Sequence, residues 1–270
     1  CPSPRTMVGW GSSFIMNSSK SYNNGGAGVY VLNATSYYQN SGIAYSKASV
    51  KNSEFYGNGM GGIHIDKVID AYMENNKIHD NTVAGIYIDM GSTACVKGGD
   101  IYDNNGYGIG TSSPLVLDGV TIERSKQYAN LLMGCNGTDG VTIKGGTRII
   151  DSKADGILSR GGYIKLQNGT IENNAQNGIN LEVGTIEMTG GTIRNNKNHG
   201  IWIIVNSGAE KPNFDGNYIS GGDIYGNSKN NVFINNRASV LRIKGGNIYN
   251  SISGSSVVSN GHVDIVGGTI

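Results

Sequence analysis

Short runs of alternating apolar and polar residues recur along the whole chain, and none of them shows a sustained helical period. One type of run begins with Gly-Ile, and its glycines are Gly42, Gly62, Gly85, Gly108, Gly156, Gly178 and Gly200. The spacings between these glycines are 20, 23, 23, 48, 22 and 22 residues, and the widest gap hides one degenerate copy at Asn130-Leu131. A fixed spacing of this size indicates a repeat architecture.

Two further runs follow in each repeat. One has the form Ile-x-x-Asn/Ser and includes Ile78…Asn81, Ile101…Asn104, Ile171…Asn174 and Ile193…Asn196. The other is a short alternation such as Ala71/Met73, Ala94/Val96, Leu115/Leu117 and Ile186/Met188. Each repeat therefore carries three short strands of period two, separated by turns rich in Gly, Asn and Asp.

Strands this short bury an apolar face only when successive repeats stack on one another. The pattern predicts an all-β, single-stranded parallel β-helix with about 11 coils of 22–24 residues. Stacking at about 4.8 Å per coil gives a rod on the order of 50 Å long. We expect the recurring Asn to form a hydrogen-bonded ladder in a left-handed turn conformation, and the Gly before each Ile to supply a positive φ.

Composition narrows the class of protein. The chain has 43 Gly, 4 Pro, 15% charged residues and a formal charge of +1. A nearly neutral chain offers no electrostatic surface for nucleic acid, and no apolar run is long enough for a transmembrane helix. The three cysteines, Cys1, Cys95 and Cys135, are too few and too scattered for a disulfide framework or a zinc cluster.

The organisation of the chain is that of one domain, residues 1–270, with a loop insertion at 207–218 that contains Pro212. At this point a spacing of 31 residues replaces the usual 22–24. The sequence starts at Cys1 and stops inside a repeat at Ile270, so we expect it to be a piece of a longer protein. Its function is expected outside the cell, at a cell surface or on a virion.

Outward positions on the middle strand alternate in charge from coil to coil. The column reads Lys51, Glu74, Lys97, Asp118 and Lys144, and similar pairs are Lys165 with Glu187 and Arg242 with Asp264. We expect a ladder of ion pairs, each contributing about 0.2–1 kcal/mol, that specifies register more than stability.

The outward acidic and aromatic residues on the Gly-Ile strands do not alternate in charge in this way. His64 and Asp66 on one coil have the same positions as Tyr87 and Asp89 on the next. Two neighbouring carboxylates shift each other's pKa, bind Ca²⁺ or act together in glycoside hydrolysis. These four residues are candidate catalytic or ligand-binding groups, with Ca²⁺ the one cofactor to consider and solvated acids the alternative.

A second stacked pair of acids is Asp80 and Asp103, which we also carry as candidates. Arg124 occupies the equivalent position on the following coil and is placed to neutralise them.

A third feature is apolar. Outward positions on the later Gly-Ile strands read Leu132, Leu158, Asn180, Trp202, Phe233 and Val258. An exposed apolar stripe marks a contact surface. The stripe has two possible roles at this stage. It is buried against protein, for example in a homotrimer, or Trp202 and Phe233 stack on sugar rings.

The Gly-Gly-x-Ile-x-x-Asn/Ser form, as in the segment from Gly191 to Asn196, resembles the right-handed β-helix regions of the pectate-lyase-like superfamily. The resemblance covers essentially the whole chain and implies a right-handed coil. The superfamily includes polysaccharide lyases, glycosidases, epimerases, phage tailspikes and bacterial surface adhesins. The repeat forms are also similar to those of autotransported surface adhesins.

The catalytic blocks of polygalacturonases are not reproduced. Arg242-Ile243-Lys244 is present, but the coil that should carry an Asp-Asp pair reads Glu172-Asn173-Asn174. Pectate lyases need an acidic Ca²⁺ cluster with an opposing Arg or Lys, and none is clearly placed to abstract a proton. The sequence therefore favours a non-enzymatic rod, an adhesin or tailspike-like protein that binds glycans or a partner protein. The alternative is a polysaccharide lyase or glycoside hydrolase that acts through the Asp66/Asp89 region.

Overall fold

The protein is built from β-strands alone across the residues that the computed structural model describes, which are 13–32, 47–136, 139–204 and 216–270. Cys1, Gly42, Ile43 and Pro212 lie outside these residues, as does most of the predicted insertion, of which only 216–218 are described. No helix among the described residues is long and apolar enough to cross a membrane.

Each turn of the chain passes through three parallel sheets, which we name by their residues. Strands confined to the charged sheet are β1 (Ser13–Asn17), β4 (Lys47–Lys51), β7 (Asp70–Glu74), β10 (Ala94–Lys97), β13 (Leu115–Asp118), β16 (Gly140–Lys144) and β27 (His262–Ile265). Strands confined to the asparagine sheet are β2 (Lys20–Tyr22), β5 (Glu54–Tyr56), β8 (Lys77–His79), β11 (Asp100–Tyr102), β14 (Thr121–Glu123), β17 (Thr147–Ile150), β19 (Gly169–Glu172) and β21 (Thr192–Arg194). Strands confined to the Gly-Ile sheet are β3 (Val29–Leu32), β6 (Gly61–Asp66), β9 (Ala84–Ile88), β12 (Tyr107–Thr111), β15 (Leu131–Met133), β22 (Ile201–Ile203), β24 (Val232–Ile234) and β26 (Val257–Ser259).

Four longer strands bend from one sheet into the next. β18 (Ile157–Leu166) and β20 (Ile179–Met188) join the Gly-Ile sheet to the charged sheet, and β23 (Tyr218–Tyr225) and β25 (Val240–Tyr249) join the charged sheet to the asparagine sheet. The described strands make ten turns with all three strands and the start of an eleventh, slightly fewer than predicted. The predicted all-β parallel solenoid is confirmed.

The core lies between the three sheets and consists of the inward columns read from the sequence. Five of these core side chains are no more than 1% exposed: Ile63, Ile86 and Ile109 from the Gly-Ile sheet, and Ile78 and Ile101 from the asparagine sheet. Fully burying each such side chain contributes about 1.5–3 kcal/mol, so the stack is stabilised mainly by this column-on-column contact. The outward residues are thereby left for other roles.

The asparagine ladder is confirmed, but its conformation differs from the prediction. Asn58 donates through Nδ2 to Asn81 Oδ1 at 2.9 Å, and Asn81 donates in the same way to Asn104 at 3.0 Å. The left-handed conformation belongs to the preceding residue, for example Asp80 with φ 53° and Asp103 with φ 54°. The ladder residue itself lies in the interior of the corner, where it satisfies backbone groups that no strand pairs.

The described glycines before Ile, from Gly62 to Gly200, are not in the left-handed region, so the predicted reason for them is wrong. A Cβ on Gly178 would lie 2.7 Å from Asn196 Nδ2, from Gly200 O and from Ile193 Cγ2. Real Cβ atoms do not approach other atoms so closely, so this position requires Gly because it faces the ladder Asn of the next turn.

Two turns replace this glycine by Asn, and in both the next ladder residue is Ser. Asn130 precedes the turn of Ser152, and Asn231 precedes that of Ser251. Asn231 Oδ1 accepts the hydrogen bond of the ladder Asn227 at 2.9 Å, as the missing ladder Asn would have done. In these two corners the amide side chain therefore stands at the glycine position instead of the ladder position, whereas the corner of Gly108 and Ser125 has an amide at neither.

The predicted charge ladder is confirmed on the charged sheet. The ammonium of Lys51 lies 3.1 Å from Glu74, that of Lys97 lies 3.7 Å from Glu74, and that of Lys144 lies 3.7 Å from Asp118. These residues are direct neighbours in the parallel register. The sheet consequently presents a surface on which most charge is neutralised in place.

Candidate functional site

A cluster of aromatic rings lies on the outer face of the Gly-Ile sheet at its N-terminal end. The parallel register aligns Tyr30 with His64 and His64 with Tyr87. The His64 imidazole centroid lies 4.4 Å from the Tyr30 ring centroid and 5.1 Å from that of Tyr87, and the rings of His64 and Tyr87 form a T-shaped pair. The imidazole is therefore held in one orientation, and its side chain is 18% exposed.

Each carboxylate of the candidate pair has its own hydrogen-bond donor. Tyr30 Oη donates to Asp66 Oδ2 at 3.0 Å. Asp89 Oδ2 lies 3.4 Å from His64 Nε2, and Asp89 Oδ1 accepts from the Met90 amide at 3.1 Å. A carboxylate on one imidazole nitrogen sets which nitrogen carries the proton, so the other is available as an acid or base.

The cluster continues toward the middle of the rod through Tyr107. Its ring lies over Gly110, where a Cβ would meet Tyr107 Cε2 at 2.4 Å. Burial raises the pKa of the Tyr107 phenol to about 12, which keeps it protonated at neutral pH. Gly110 is thus the one small residue in the outward column that lets this ring lie flat on the sheet.

Beyond Tyr107 a cavity of about 150 Å³ is lined by Tyr87, Tyr107, Ser112 and Arg160. A second cavity of about 130 Å³, lined by Met60, His64, Tyr87 and Tyr107, shares the two tyrosines with the first. We call the two together the tyrosine groove. The Arg160 guanidinium lies 3.0 Å from Glu182 and is 59% exposed, so it brings a cation to the end of the groove.

Asp80 and Asp103 are not part of this groove. Both lie at the corner after the asparagine sheet, where Arg124 binds Asp103 through two nitrogens at 3.0 Å. Asp80 accepts from His79 at 2.9 Å and from Lys126 at 3.4 Å, and these hydrogen bonds lower the pKa of its carboxyl. The neutralisation proposed for Arg124 is therefore present at Asp103.

The apolar stripe has the predicted register but not the predicted exposure. Asn180 pairs with Trp202, and Trp202 pairs with Phe233, on neighbouring strands. Leu158 and Asn180 are only 9% and 6% exposed, and the rings of Trp202 and Phe233 are half-buried. His199, from the corner before β22, packs against Phe233 at 4.8 Å and Trp202 at 6.0 Å, and so covers part of the stripe.

Three residues of the site were missed from the sequence: Tyr30, which contacts His64, and Tyr107 and Arg160, which line the groove. Tyr30 stands 34 residues before His64, because the coil between them is longer than the repeat. Tyr107 lies at the corner, where strict alternation breaks down, and Arg160 lies on the strand that bends into the charged sheet. Within the described ranges no group of three or more His, Cys, Asp or Glu is arranged to hold a metal ion, and Ca²⁺ at Asp66 and Asp89 stays a prediction.

Comparison with known proteins shows the family. A family model for right-handed β-helix regions matches residues 7–153 and 115–238. The chain belongs to this right-handed β-helix family. No curated protein sequence matches the β-helix.

Two of the solved structures similar to this β-helix are an alginate epimerase and a mannuronan C-5 epimerase. The periplasmic alginate epimerase AlgG is 15% identical with a TM-score of 0.69, and the match covers 98% of this chain and 77% of that one. The A-module of the mannuronan C-5 epimerase AlgE6 from Azotobacter vinelandii is 14% identical with a TM-score of 0.52, over 98% of this chain and 80% of that one. At such identities the likeness shows the fold.

Proposed function

We propose that this β-helix modifies a polysaccharide outside the cytoplasm, and that the tyrosine groove is its active site. The observation that carries the proposal is the imidazole of His64, oriented by Asp89 and flanked by two phenols in an open groove. This is the enzyme alternative considered above, preferred now to the non-enzymatic rod. The alginate epimerases of the same fold support it, since both act on a polysaccharide and one is periplasmic.

The chemistry that suits the groove is proton transfer at a sugar carbon. Inversion or elimination at the carbon beside a uronate carboxylate needs one group to remove a proton and another to return one or to protonate the leaving oxygen. His64 is the base in this proposal, and Asp89 stabilises the imidazolium that forms. Tyr87, whose ring lies at 72° to the imidazole plane with its centroid 5.1 Å away, is the acid on the neighbouring turn.

Two-carboxylate hydrolysis is less favoured by the contacts. Asp66 accepts a hydrogen bond from Tyr30, and Asp89 contacts His64, so each carboxylate is paired with an aromatic side chain rather than with the other carboxylate. Arg160, three strands beyond Tyr87 in the stacking order, is suited to an anionic or hydroxyl group on an adjacent sugar.

A panel of polysaccharides tests the proposal. Purified protein is incubated with alginate, pectate and neutral glycans, with and without Ca²⁺. Absorbance near 235 nm reports elimination, proton NMR in deuterated water reports inversion at C-5, and reducing ends report hydrolysis. The expected result is a signal with an acidic polysaccharide that falls by about 100-fold or more in His64→Gln, the loss typical of removing a general base.

His262→Gln is the matched control, because His262 is an exposed imidazole on β27, at the other end of the rod. Equal loss in both variants would point to general instability. Silence in all three readouts, together with retention of the protein on a polysaccharide gel, would contradict the proposal and restore the binding rod.

A further inference from the structure

The cavity beside His64 is apolar, in contrast to the other cavity of the tyrosine groove. It has a volume of about 130 Å³, and apart from the rings of His64, Tyr87 and Tyr107 its lining residues are apolar or glycine. None of these described lining residues is Lys, Arg, Asp or Glu. The adjoining cavity, by contrast, is lined in part by Ser112 and Arg160. The two cavities therefore suit different parts of a ligand.

Small residues on two successive turns make room for the apolar cavity. Gly61, Ala84 and Tyr107 occupy the same register position on three neighbouring strands, and all three line the cavity. Glycine and alanine leave a space on the first two turns, whereas the third turn carries a large ring. The ring of Tyr107 thus bounds the cavity toward the middle of the rod.

Two further apolar side chains of the cavity are open to solvent. Met60 and Val83 both line it, and they are 52% and 43% exposed. They stand on successive turns, and the Val83 amide donates to the Met60 carbonyl oxygen at 2.9 Å. A group that arrives from solvent therefore meets apolar surface as it enters, and its contact with this surface is favourable if the group is itself apolar.

The size and lining of the cavity determine which part of a sugar it accommodates. Sites that hold a whole small-molecule ligand are about 300–1,000 Å³, so a cavity of about 130 Å³ takes a substituent rather than a ring. A free hydroxyl or carboxylate would lose water there and find few hydrogen-bond partners, which disfavours its burial. The methyl end of an ester loses no hydrogen bond and gains dispersion contacts with the walls.

We propose that the apolar cavity binds the methyl end of an ester group on the sugar that lies against His64. An O-acetyl group and the methyl ester of a uronate share this chemistry. The assignment rests on the proposed function, since the ester belongs to the polysaccharide that the tyrosine groove modifies. Val83 and Met60 are then the residues that distinguish an esterified polymer from a free one.

Binding of matched polymers tests the assignment without turnover. The parent protein is run through native gels that contain acetylated or deacetylated alginate, and methyl-esterified or saponified polygalacturonate, and Kd is taken from the retardation. At least one esterified polymer should bind about 10-fold or more tightly than its de-esterified form, since one apolar group in a fitted pocket discriminates by about 10–200-fold. The pair of polymers that shows this preference identifies the ester.

Val83→Thr is the main variant, because threonine has nearly the shape of valine but places a hydroxyl in the lining of the cavity. It should reduce the preference for the esterified polymer by about 4-fold or more, the loss expected for one buried methyl group. Met60→Gln, which keeps the length of the side chain, should act in the same direction and replaces Val83→Thr if that variant does not fold. Val266→Thr is the matched control, since Val266 is 64% exposed and follows β27 at the other end of the rod. Its preference should stay within about 2-fold of that of the parent protein.

The assignment of the cavity and the proposed function fail separately. A preference for an esterified polymer that Val83→Thr reduces supports the cavity, even where His64→Gln leaves turnover unchanged and so removes His64 as the base. Equal Kd values for the esterified and de-esterified forms of both polymers, or a preference that Val83→Thr leaves unchanged, overturn the assignment, while turnover by the parent protein still supports the proposed function. Binding of none of the four polymers contradicts both.

Discussion

A single methyl group placed at Gly178 tests why Gly recurs before the Ile of the repeat. Gly178 has no positive φ, so Ala loses nothing in backbone conformation there. Its Cβ would nevertheless lie 2.7 Å from Asn196 Nδ2, from the Gly200 carbonyl oxygen and from Ile193 Cγ2. We expect Gly178→Ala to destabilise the protein by about 1–3 kcal/mol, the usual cost of overpacking a core.

Two other glycines separate packing from conformation. Gly146 has φ +76° and open space around a would-be Cβ, so Gly146→Ala should cost about 1–2 kcal/mol through backbone strain alone. Gly25 has open space and no positive φ, so Gly25→Ala should be neutral or stabilise by up to about 1 kcal/mol. The three variants make the same chemical change in three different surroundings.

Urea unfolding followed by far-UV circular dichroism measures the three midpoints, and hydrogen exchange locates the effect. Repeat proteins do not always unfold in one step, so midpoints are compared only where the slopes agree. Exchange at the amides of Asn174 and Asn196 should rise in Gly178→Ala alone. A Gly178→Ala protein as stable as Gly25→Ala would refute the packing argument.

Three further predictions follow from the same contacts. Asn196→Ser should cost about 2–4 kcal/mol, and adding Gly178→Asn should recover part of this loss in urea midpoint, because the pair reproduces the corner found at Asn231. Ser112→Lys should form an ion pair with Asp89 from the next turn and stabilise the fold by no more than about 1 kcal/mol. Because the new side chain occupies the tyrosine groove, polysaccharide turnover should fall. Unchanged turnover would contradict the assignment of the groove as the active site. The pKa of Asp80 is lowered first by its hydrogen bond from the neighbouring imidazole, so the stability it contributes is present above its unfolded pKa of about 3.8 and is lost as pH falls below it. The parent protein should therefore have the higher urea midpoint at pH 5, and the difference between its midpoint and that of Asp80→Asn should be smaller at pH 3.

The sequence predicts the columns of this fold well and its corners poorly. Alternation places residues inside or outside without ambiguity, and so Lys51, Glu74 and Lys97 were assigned to one outward column that the structure reproduces. Corners follow no such rule. A positive φ was predicted as the reason for glycine at position 178, whereas the structure shows that close packing excludes a Cβ there. Tyr107 was not predicted as part of the site, because the position of its ring depends on the neighbouring turn rather than on its own strand.

The distribution of outward residues gives an independent reason to look for function on the Gly-Ile sheet. On the charged sheet, acids and bases neutralise one another in register. On the asparagine sheet the aromatic rings stack on each other, as Tyr56 and Tyr102 do on either side of His79 at 5.3 and 4.7 Å, so that their faces are not available to a ligand. On the Gly-Ile sheet, by contrast, Asp66 has no ion pair among the described residues and Asp89 has one only with an imidazole. Outward groups are satisfied from turn to turn by ion pairs or ring stacking on two sheets, whereas on the third the acids contact phenol and imidazole rings beside open cavities, which is why we propose the binding surface there.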